Sequence, residues 1–124
     1  MTEIWKDIPG FEGMYQASTL GRIKSLEREV NVGLGLRTFP EKIKSQNKTP
    51  LNYMITRLSK NGKLKTYNVH KLIAITFIDN PNGYDEVDHI KEVSELNCDN
   101  SVSNLRWCDR SFNLKKRKPY TRKL

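Results

Sequence analysis

The stretch that decides the fold covers residues 86–108 and has the sequence EVDHIKEVSELNCDNSVSNLRWC. It begins and ends with short runs, Glu86–Ile90 and Leu105–Cys108, that predict two short β-strands. The polar, Asn-rich residues between the two runs predict a loop. Asp109 or Ser111 can cap a helix that follows the second strand. The pattern therefore predicts a strand, a loop, a strand and a helix, in that order.

A β-hairpin is predicted upstream of this stretch, around the dipeptide Asn61-Gly62. Residues 53–58 and 64–69 form strand-like runs on either side of it, and Asn-Gly suits the positive backbone angles of a tight hairpin turn. Residues 69–77 then carry apolar side chains at helical spacing, although their β-branched content leaves a strand as the competing prediction.

The first 25 residues alternate short apolar stretches with Gly and Pro, which predicts small strands and turns. Residues 27–50 show no firm period and are predicted to be mostly loop. The core of the amino-terminal part is predicted to contain Trp5, Ile8, Phe11, Tyr15 and Ile23.

The composition points to a polyanionic partner. The 124 residues include 22 Lys and Arg against 14 Asp and Glu, a formal charge of +8. A surface with this excess attracts nucleic acid. The sequence has no long apolar run and no secretory signal, so we expect no membrane partner. Its length fits one domain, or two small modules sharing one core.

The two cysteines, Cys98 and Cys108, predict neither a disulfide framework nor a conventional zinc site. Structural zinc usually needs four Cys or His ligands with closely spaced pairs, and no such pair occurs here. We expect Cys98 in a loop and Cys108 as a small buried apolar residue.

Phosphodiester hydrolysis needs a base that activates water and a cation that stabilises charge on the phosphate. His89 follows Asp88 directly, so one short segment offers a base and a hard oxygen ligand. His70 has no carboxylate beside it, and we expect it to be structural or to contact phosphate. An Asp-His pair alone is weak evidence, because it more often marks a surface turn.

The ordered set of Asp88-His-Ile, an Asn-rich loop, Asn104-Leu-Arg-Trp107 and Asn113 resembles the HNH endonuclease motif of phage homing and nicking enzymes. Residues 5–18 and Gly21-Arg-Ile-Lys-Ser25 look like the modular DNA-binding motif found ahead of such nucleases. The resemblance implies an α+β fold with a β-rich amino-terminal module followed by a ββα-metal nuclease core. We place the module and hairpin at 1–68, the core at 69–118 and a basic tail at 119–124.

The resemblance also implies a role for each motif residue. Asp88 and Asn113 resemble the two ligands of a single Mg²⁺ or Mn²⁺ ion, and His89 resembles the general base. Asn104 resembles the middle Asn, which we expect to hold the imidazole by hydrogen bonding. Asn97 and Asn100 compete with it for that position. Products with 5′-phosphate and 3′-hydroxyl ends are implied by the same analogy.

One geometric condition follows from the Asp-His pair. Adjacent residues on a regular strand point to opposite faces, so Asp88 and His89 share a site only where the strand ends or bends. The candidate DNA contacts are basic residues on the hairpin and near the carboxyl end, together with His70: Arg57, Lys60, Lys63, Lys65, His70, Lys115, Lys116, Arg117, Lys118, Arg122 and Lys123.

Two alternatives stay open at this stage, a catalytically silent DNA-binding protein of the same fold and a zinc-stabilised DNA-binding module using His89, Cys98 and Cys108. We expect DNA as partner, with a monomer favoured over an oligomer. By resemblance, the protein would act in the cytoplasm of a bacterial or phage-infected cell.

The basic tail gives a first testable prediction. Deleting residues 119–124 removes Arg122 and Lys123, and DNA affinity should depend less on salt for each phosphate contact that the deletion removes. If both residues contact duplex phosphates, the log-log slope of affinity against salt should fall by about two units, at ~0.9 per contact. A salt titration of DNA binding measures the slope, and an unchanged slope would assign no phosphate contact to these two residues.

Overall fold

The computed structural model of the protein describes residues 2–109. This part of the chain forms short strands, one α-helix and one 3-10 helix. In chain order they are β1 Trp5–Asp7, β2 Tyr15–Ser18, β3 Ile23–Ser25, β4 Arg28–Asn31, β5 Leu36–Phe39, β6 Lys42–Ile43, β7 Asn47–Lys48, β8 Met54–Lys60, β9 Lys63–Asn68, α1 Val69–Phe77, β10 Glu86–His89, the 3-10 helix Val102–Asn104 and β11 Leu105–Cys108.

The strands form four small antiparallel sheets. The amino-terminal sheet has the order β1-β2-β3-β6, and a second sheet has the order β7-β8-β9. Two further sheets are two-stranded ribbons, β4-β5 and β10-β11. In the last ribbon, Asp88 lies opposite Arg106 and His89 lies opposite Leu105.

Helix α1 lies at the centre of the fold. Six of its nine residues are buried, among them the apolar Val69, Leu72, Ile73 and Ala74. The helix contacts strands of the amino-terminal sheet, of the β8-β9 hairpin and of the β10-β11 ribbon. One hydrophobic cluster therefore includes residues of the amino-terminal sheet, the hairpin, the helix and the ribbon, and the proposed division at residues 68 and 69 stays a prediction.

Tyr15 ties the amino-terminal sheet to the hairpin. Its ring is buried against Phe11 in an edge-to-face contact, with ring centroids 5.7 Å apart. Its hydroxyl accepts hydrogen bonds from the Ser59 backbone N–H at 2.9 Å and from Arg28 at 3.1 Å. A buried phenol needs such partners, because an unsatisfied hydroxyl in the core is destabilising.

The structure confirms the predicted strands in the two regions with strong local signals, the Asn61-Gly62 hairpin and the stretch 86–108. The hairpin turns at Asn61 and Gly62, whose φ angles of 54° and 76° are both positive, as the Asn-Gly dipeptide predicts. β11 has the predicted bounds, and β10 ends one residue earlier than expected. Residues 69–77 form the helix and not the competing strand.

Two sequence-based predictions were wrong. Residues 27–50, expected to be mostly loop, contain strands β4 to β7, of which β4 and β5 form a hairpin. Trp5, expected in the core, is only partly buried, and its ring faces the cations of Lys24 and Arg22 at 4.2 and 5.4 Å. The indole is thus satisfied by cation–π contacts near the surface.

The final helix predicted after Asp109 lies outside the described residues. Within residues 2–109, no helix has the length and apolar character that crossing a membrane requires.

Helix α1 gives a stability prediction. Ile73→Ala removes a fully buried side chain and should lower the free energy of unfolding by about 2–5 kcal/mol, because apolar burial is reduced and a cavity is left behind. Ile75, on the same helix, is 36% exposed, so Ile75→Ala should cost about 1 kcal/mol or less. Chemical denaturation of both variants measures the difference, and equal costs would contradict the central position of the helix.

Candidate active site

The β10-β11 ribbon and the loop that joins its strands bury an unusual set of polar side chains. Asp88, His89, Asn100 and Asn104 are 7%, 5%, 5% and 8% exposed. Burying polar groups is unfavourable unless they find hydrogen-bonding partners. Each of the four has such a partner in the structure, so the ribbon and its loop form a buried polar site.

His89 is held by Asn100. The imidazole Nε2 lies 2.7 Å from the Asn100 side-chain oxygen, and both residues are buried. This orienting bond is the one that the sequence predicts for Asn104, with Asn97 and Asn100 as competitors. The structure places Asn100 at Nε2, because the loop before the 3-10 helix folds back towards the end of β10.

Asn104 closes the loop. Its side-chain oxygen accepts the Lys91 N–H at 2.8 Å, and its amide nitrogen donates to the backbone oxygens of Asp99 at 2.8 Å and Lys91 at 3.3 Å. Its backbone oxygen also accepts the Ile90 N–H at 2.8 Å. Asn104 thus fastens both ends of the loop to each other, and through the loop it acts on the position of Asn100.

Asp88 is held by Arg106 across the ribbon. The guanidinium Nε donates to the carboxylate Oδ2 at 3.0 Å, and the two residues are direct partners in the strand register. Side chains of directly opposed residues share one face of an antiparallel pair. Arg106 is not among the site residues predicted from the sequence, although pairing the two predicted strands in this register places it opposite Asp88.

β10 stops at His89, but both residues of the Asp-His pair still lie in the ladder with β11, opposite Arg106 and Leu105. A site shared by Asp88 and His89 therefore stays a prediction. Asp88 takes its ion pair on the Arg106 side of the ribbon, and His89 takes its hydrogen bond from the loop. The two side chains therefore have different partners, although they are adjacent in the chain.

The His89 imidazole belongs to a cluster of three rings. The ring centroid of His70, in the first turn of α1, lies 4.8 Å from that of His89, and the Tyr53 ring lies 5.3 Å from His70 and 5.9 Å from His89. Tyr53 is not among the site residues predicted from the sequence. Its position before β8 gave no chemical signal of the contact.

His70 is a neutral, buried neighbour of His89. Burial lowers the pKa of His70 to about 4, and the charges of His89 and Lys71 act in the same direction. Its Nδ1 has no hydrogen-bonding partner among residues 2–109. Its burial beside Tyr53 and His89 fits the structural role expected for it, and a phosphate contact stays a prediction.

The hairpin cations do not share one face. Lys63 and Lys65 lie opposite Lys60 and Leu58, so they belong to the face of β8 that carries the buried Leu58, whereas Arg57 points the other way. Lys60 donates to the Gly10 backbone oxygen and lies over the Phe11 ring at 5.4 Å. Arg57, Lys63 and Lys65 are exposed in the described structure.

The cysteines are free thiols, with Cys98 partly buried and Cys108 buried, as expected. Burial raises the pKa of the Cys108 thiol, which keeps it protonated. Among residues 2–109, no group of three or more His, Cys, Asp or Glu side chains is placed to hold a metal ion. The described residues therefore do not bring together the three ligands that the zinc-stabilised alternative needs.

The other expected site residues lie outside the described residues. These are Asn113 and the basic residues Lys115, Lys116, Arg117, Lys118, Arg122 and Lys123. Their assigned roles stay predictions.

Comparison with known proteins identifies a family motif and relatives of the chain. Residues 3–59 match the family model of the NUMOD4 motif. The chain is 37% identical over 114 residues to DNA endonuclease I-HmuI of Bacillus phage SP01, and 35% identical over 65 residues to an HNH endonuclease of Acanthamoeba polyphaga mimivirus. These matches cover 89% and 52% of the present chain.

A solved structure of I-HmuI, described as showing DNA binding and cleavage by an HNH homing endonuclease, superposes with a TM-score of 0.69 at 33% identity. The match covers 90% of the present chain and 56% of that one. The chain spans 55% of the I-HmuI sequence and 19% of the mimivirus sequence. The chain therefore carries a NUMOD4 motif and is homologous to HNH endonucleases, among them the homing endonuclease I-HmuI.

Proposed function

We propose that this chain is a DNA endonuclease of the HNH type that hydrolyses phosphodiester bonds with a histidine base and one divalent cation. One observation carries the proposal: Asp88 and His89 are both buried and both held by polar partners at the end of β10. Packing alone does not require two such side chains in one strand, because burying an apolar side chain costs less free energy than burying an ionisable one. Ionisable groups held in this way are typical of catalytic sites.

The described residues fit a divalent cation through one ligand. The Asp88 carboxylate is a hard oxygen donor of the kind that Mg²⁺ and Mn²⁺ prefer, and Arg106 orients it. We assign the second ligand to Asn113 by homology. Mg²⁺ usually keeps several water ligands and binds through one or two protein groups, so a small ligand set suffices. When bound, the ion would stabilise charge on the scissile phosphate and on the leaving oxygen.

His89 would take a proton from the water that attacks the phosphate. Histidine suits this task because its ordinary pKa lies near neutrality. Asn100 holds one ring nitrogen, so we assign the role of base to the other. Asn104 contributes by closing the loop that carries Asn100.

DNA is the proposed substrate. The chain carries a formal charge of +8, and the exposed cations of the β8-β9 hairpin and the basic carboxyl end offer phosphate contacts. The I-HmuI structure, by its description, shows binding and cleavage of DNA, and the present chain shares its fold over most of the described length.

Loss of the base gives the sharpest test of this proposal. His89→Ala should reduce the single-turnover rate of plasmid cleavage in Mg²⁺ by about 10²- to 10⁴-fold, the usual contribution of a general base. Binding of the same DNA should be largely retained, because the base adds little ground-state affinity. Cleavage at the wild-type rate would refute the base assignment.

Loss of the proposed metal ligand is tested separately. Asp88→Ala should abolish cleavage throughout a Mg²⁺ or Mn²⁺ concentration series, since the carboxylate is the charged ligand that we assign to the ion. Asp85→Ala is the matched control, because it removes an exposed carboxylate just before β10 and should leave cleavage unchanged. Cleavage by the Asp88 variant at the wild-type rate and with the wild-type metal dependence would contradict direct ligation, and equal loss in both variants would indicate a general charge effect.

A further inference from the structure

The hydrogen bond between Asn100 and His89 specifies which ring nitrogen carries a proton. The Asn100 side-chain oxygen lies 2.7 Å from His89 Nε2, and the Cys98 thiol donates to the same oxygen at 3.7 Å. An oxygen placed in this way accepts, so the neutral imidazole must carry its proton on Nε2. The lone pair is then on Nδ1, and Nδ1 is the atom that can act as a base.

Asn100 is itself held by the amino-terminal module. A Cβ atom at Gly21 would lie 3.0 Å from the Asn100 carbonyl carbon and Cβ, and 3.1 Å from its carbonyl oxygen. The Val102 N–H donates to the Thr19 backbone oxygen at 3.0 Å, two residues after Asn100. The turn at residues 18–22 therefore packs directly against the loop that orients the base.

Gly21 has two reasons to be glycine. Its φ of +88° lies in the left-handed region that favours glycine, and its neighbour leaves no room for a side chain. Gly33 has almost the same φ, +89°, but an added Cβ there would meet no atom within 4 Å. Substitutions at Gly21 and at Gly33 can therefore be compared to separate the effect of backbone strain from the effect of contact with the loop.

We propose that Asn100 is a positioning residue for His89, and that the turn at residues 18–22 of the NUMOD4 segment fixes Asn100 against the imidazole. The NUMOD4 segment is then part of the catalytic apparatus in addition to any contact it makes with DNA. This inference rests on the proposed nuclease function.

A direct test uses the fact that the chain has two histidines, His70 and His89. In ¹⁵N NMR spectra of the full chain at about pH 8, above the ordinary histidine pKa of ~6.5, His89 should be the Nε2–H tautomer. Its Nε2 proton should exchange slowly with water, and Asn100→Leu should abolish that slow exchange. A spectrum showing the Nδ1–H tautomer in the wild-type chain would overturn the proposal.

Kinetics provide the second test. Asn100→Leu should lower the single-turnover cleavage rate at saturating protein by about 10- to 100-fold, as removal of an orienting partner commonly does, with DNA affinity unchanged. Asn100→Asp keeps an oxygen acceptor and should recover most of that rate. Asn97→Leu makes the same change in the same loop and should cleave like wild type.

The glycine pair tests the role of the turn. Gly21→Ala should slow cleavage and speed exchange of the Nε2 proton, whereas Gly33→Ala should change neither, although both variants strain the backbone alike. Equal cleavage rates and exchange in the two variants would overturn the role of the turn.

The outcomes separate this inference from the function on which it rests. A wild-type chain that binds DNA but does not cleave it in Mg²⁺ or Mn²⁺ overturns the proposed function and this inference with it. A chain that cleaves, in which Asn100→Leu is as fast as wild type, overturns this inference alone.

Discussion

Packing on helix α1 supports the rest of this structure. The helix has nine residues, no side-chain hydrogen bond at its amino-terminal cap, no acidic residue in its first turn and no basic residue in its last. A helix of this length is marginal in water by itself. Its stability must come from the sheets that cover it, and those sheets in turn bury their apolar faces on it. The amino-terminal module, the hairpin and the β10-β11 ribbon are therefore mutually dependent, and His70 is carried to His89 by the same packing.

The elements that sequence predicts well are those whose signal is local. The Asn61-Gly62 turn specifies its own backbone angles, and β10 and β11 are short runs bounded by polar loops. β4 and β5 escaped prediction because nearly all of their side chains are exposed. Neither face of this hairpin is buried in the core, so the hydrogen bonds between its two strands define it. The prediction that Trp5 lies in the core was wrong for another reason: the cations that its ring contacts come from a different part of the chain.

The residues of the candidate site also differ in how local their sequence signal is. Asp88 and His89 are recognisable because two chemically suited residues adjoin each other in a known kind of motif. The choice between Asn100 and Asn104 depends on the path of an irregular loop, which no period encodes. Arg106 occupies an intermediate case, because strand register brings it opposite Asp88 once the two strands are paired. Asn113 lies beyond the described residues, and its role is still a prediction.

The close approach of Gly21 to Asn100 has a consequence for how such proteins can recombine. A segment that recurs ahead of different nucleases invites the view that it is exchanged as an independent cassette. Here its turn forms part of the support for the loop beside the imidazole, and a transferred cassette must bring a backbone that leaves the same space. Under the proposed role of the turn, exchange should yield an active chimera only between parents whose turns and loops have matching shapes.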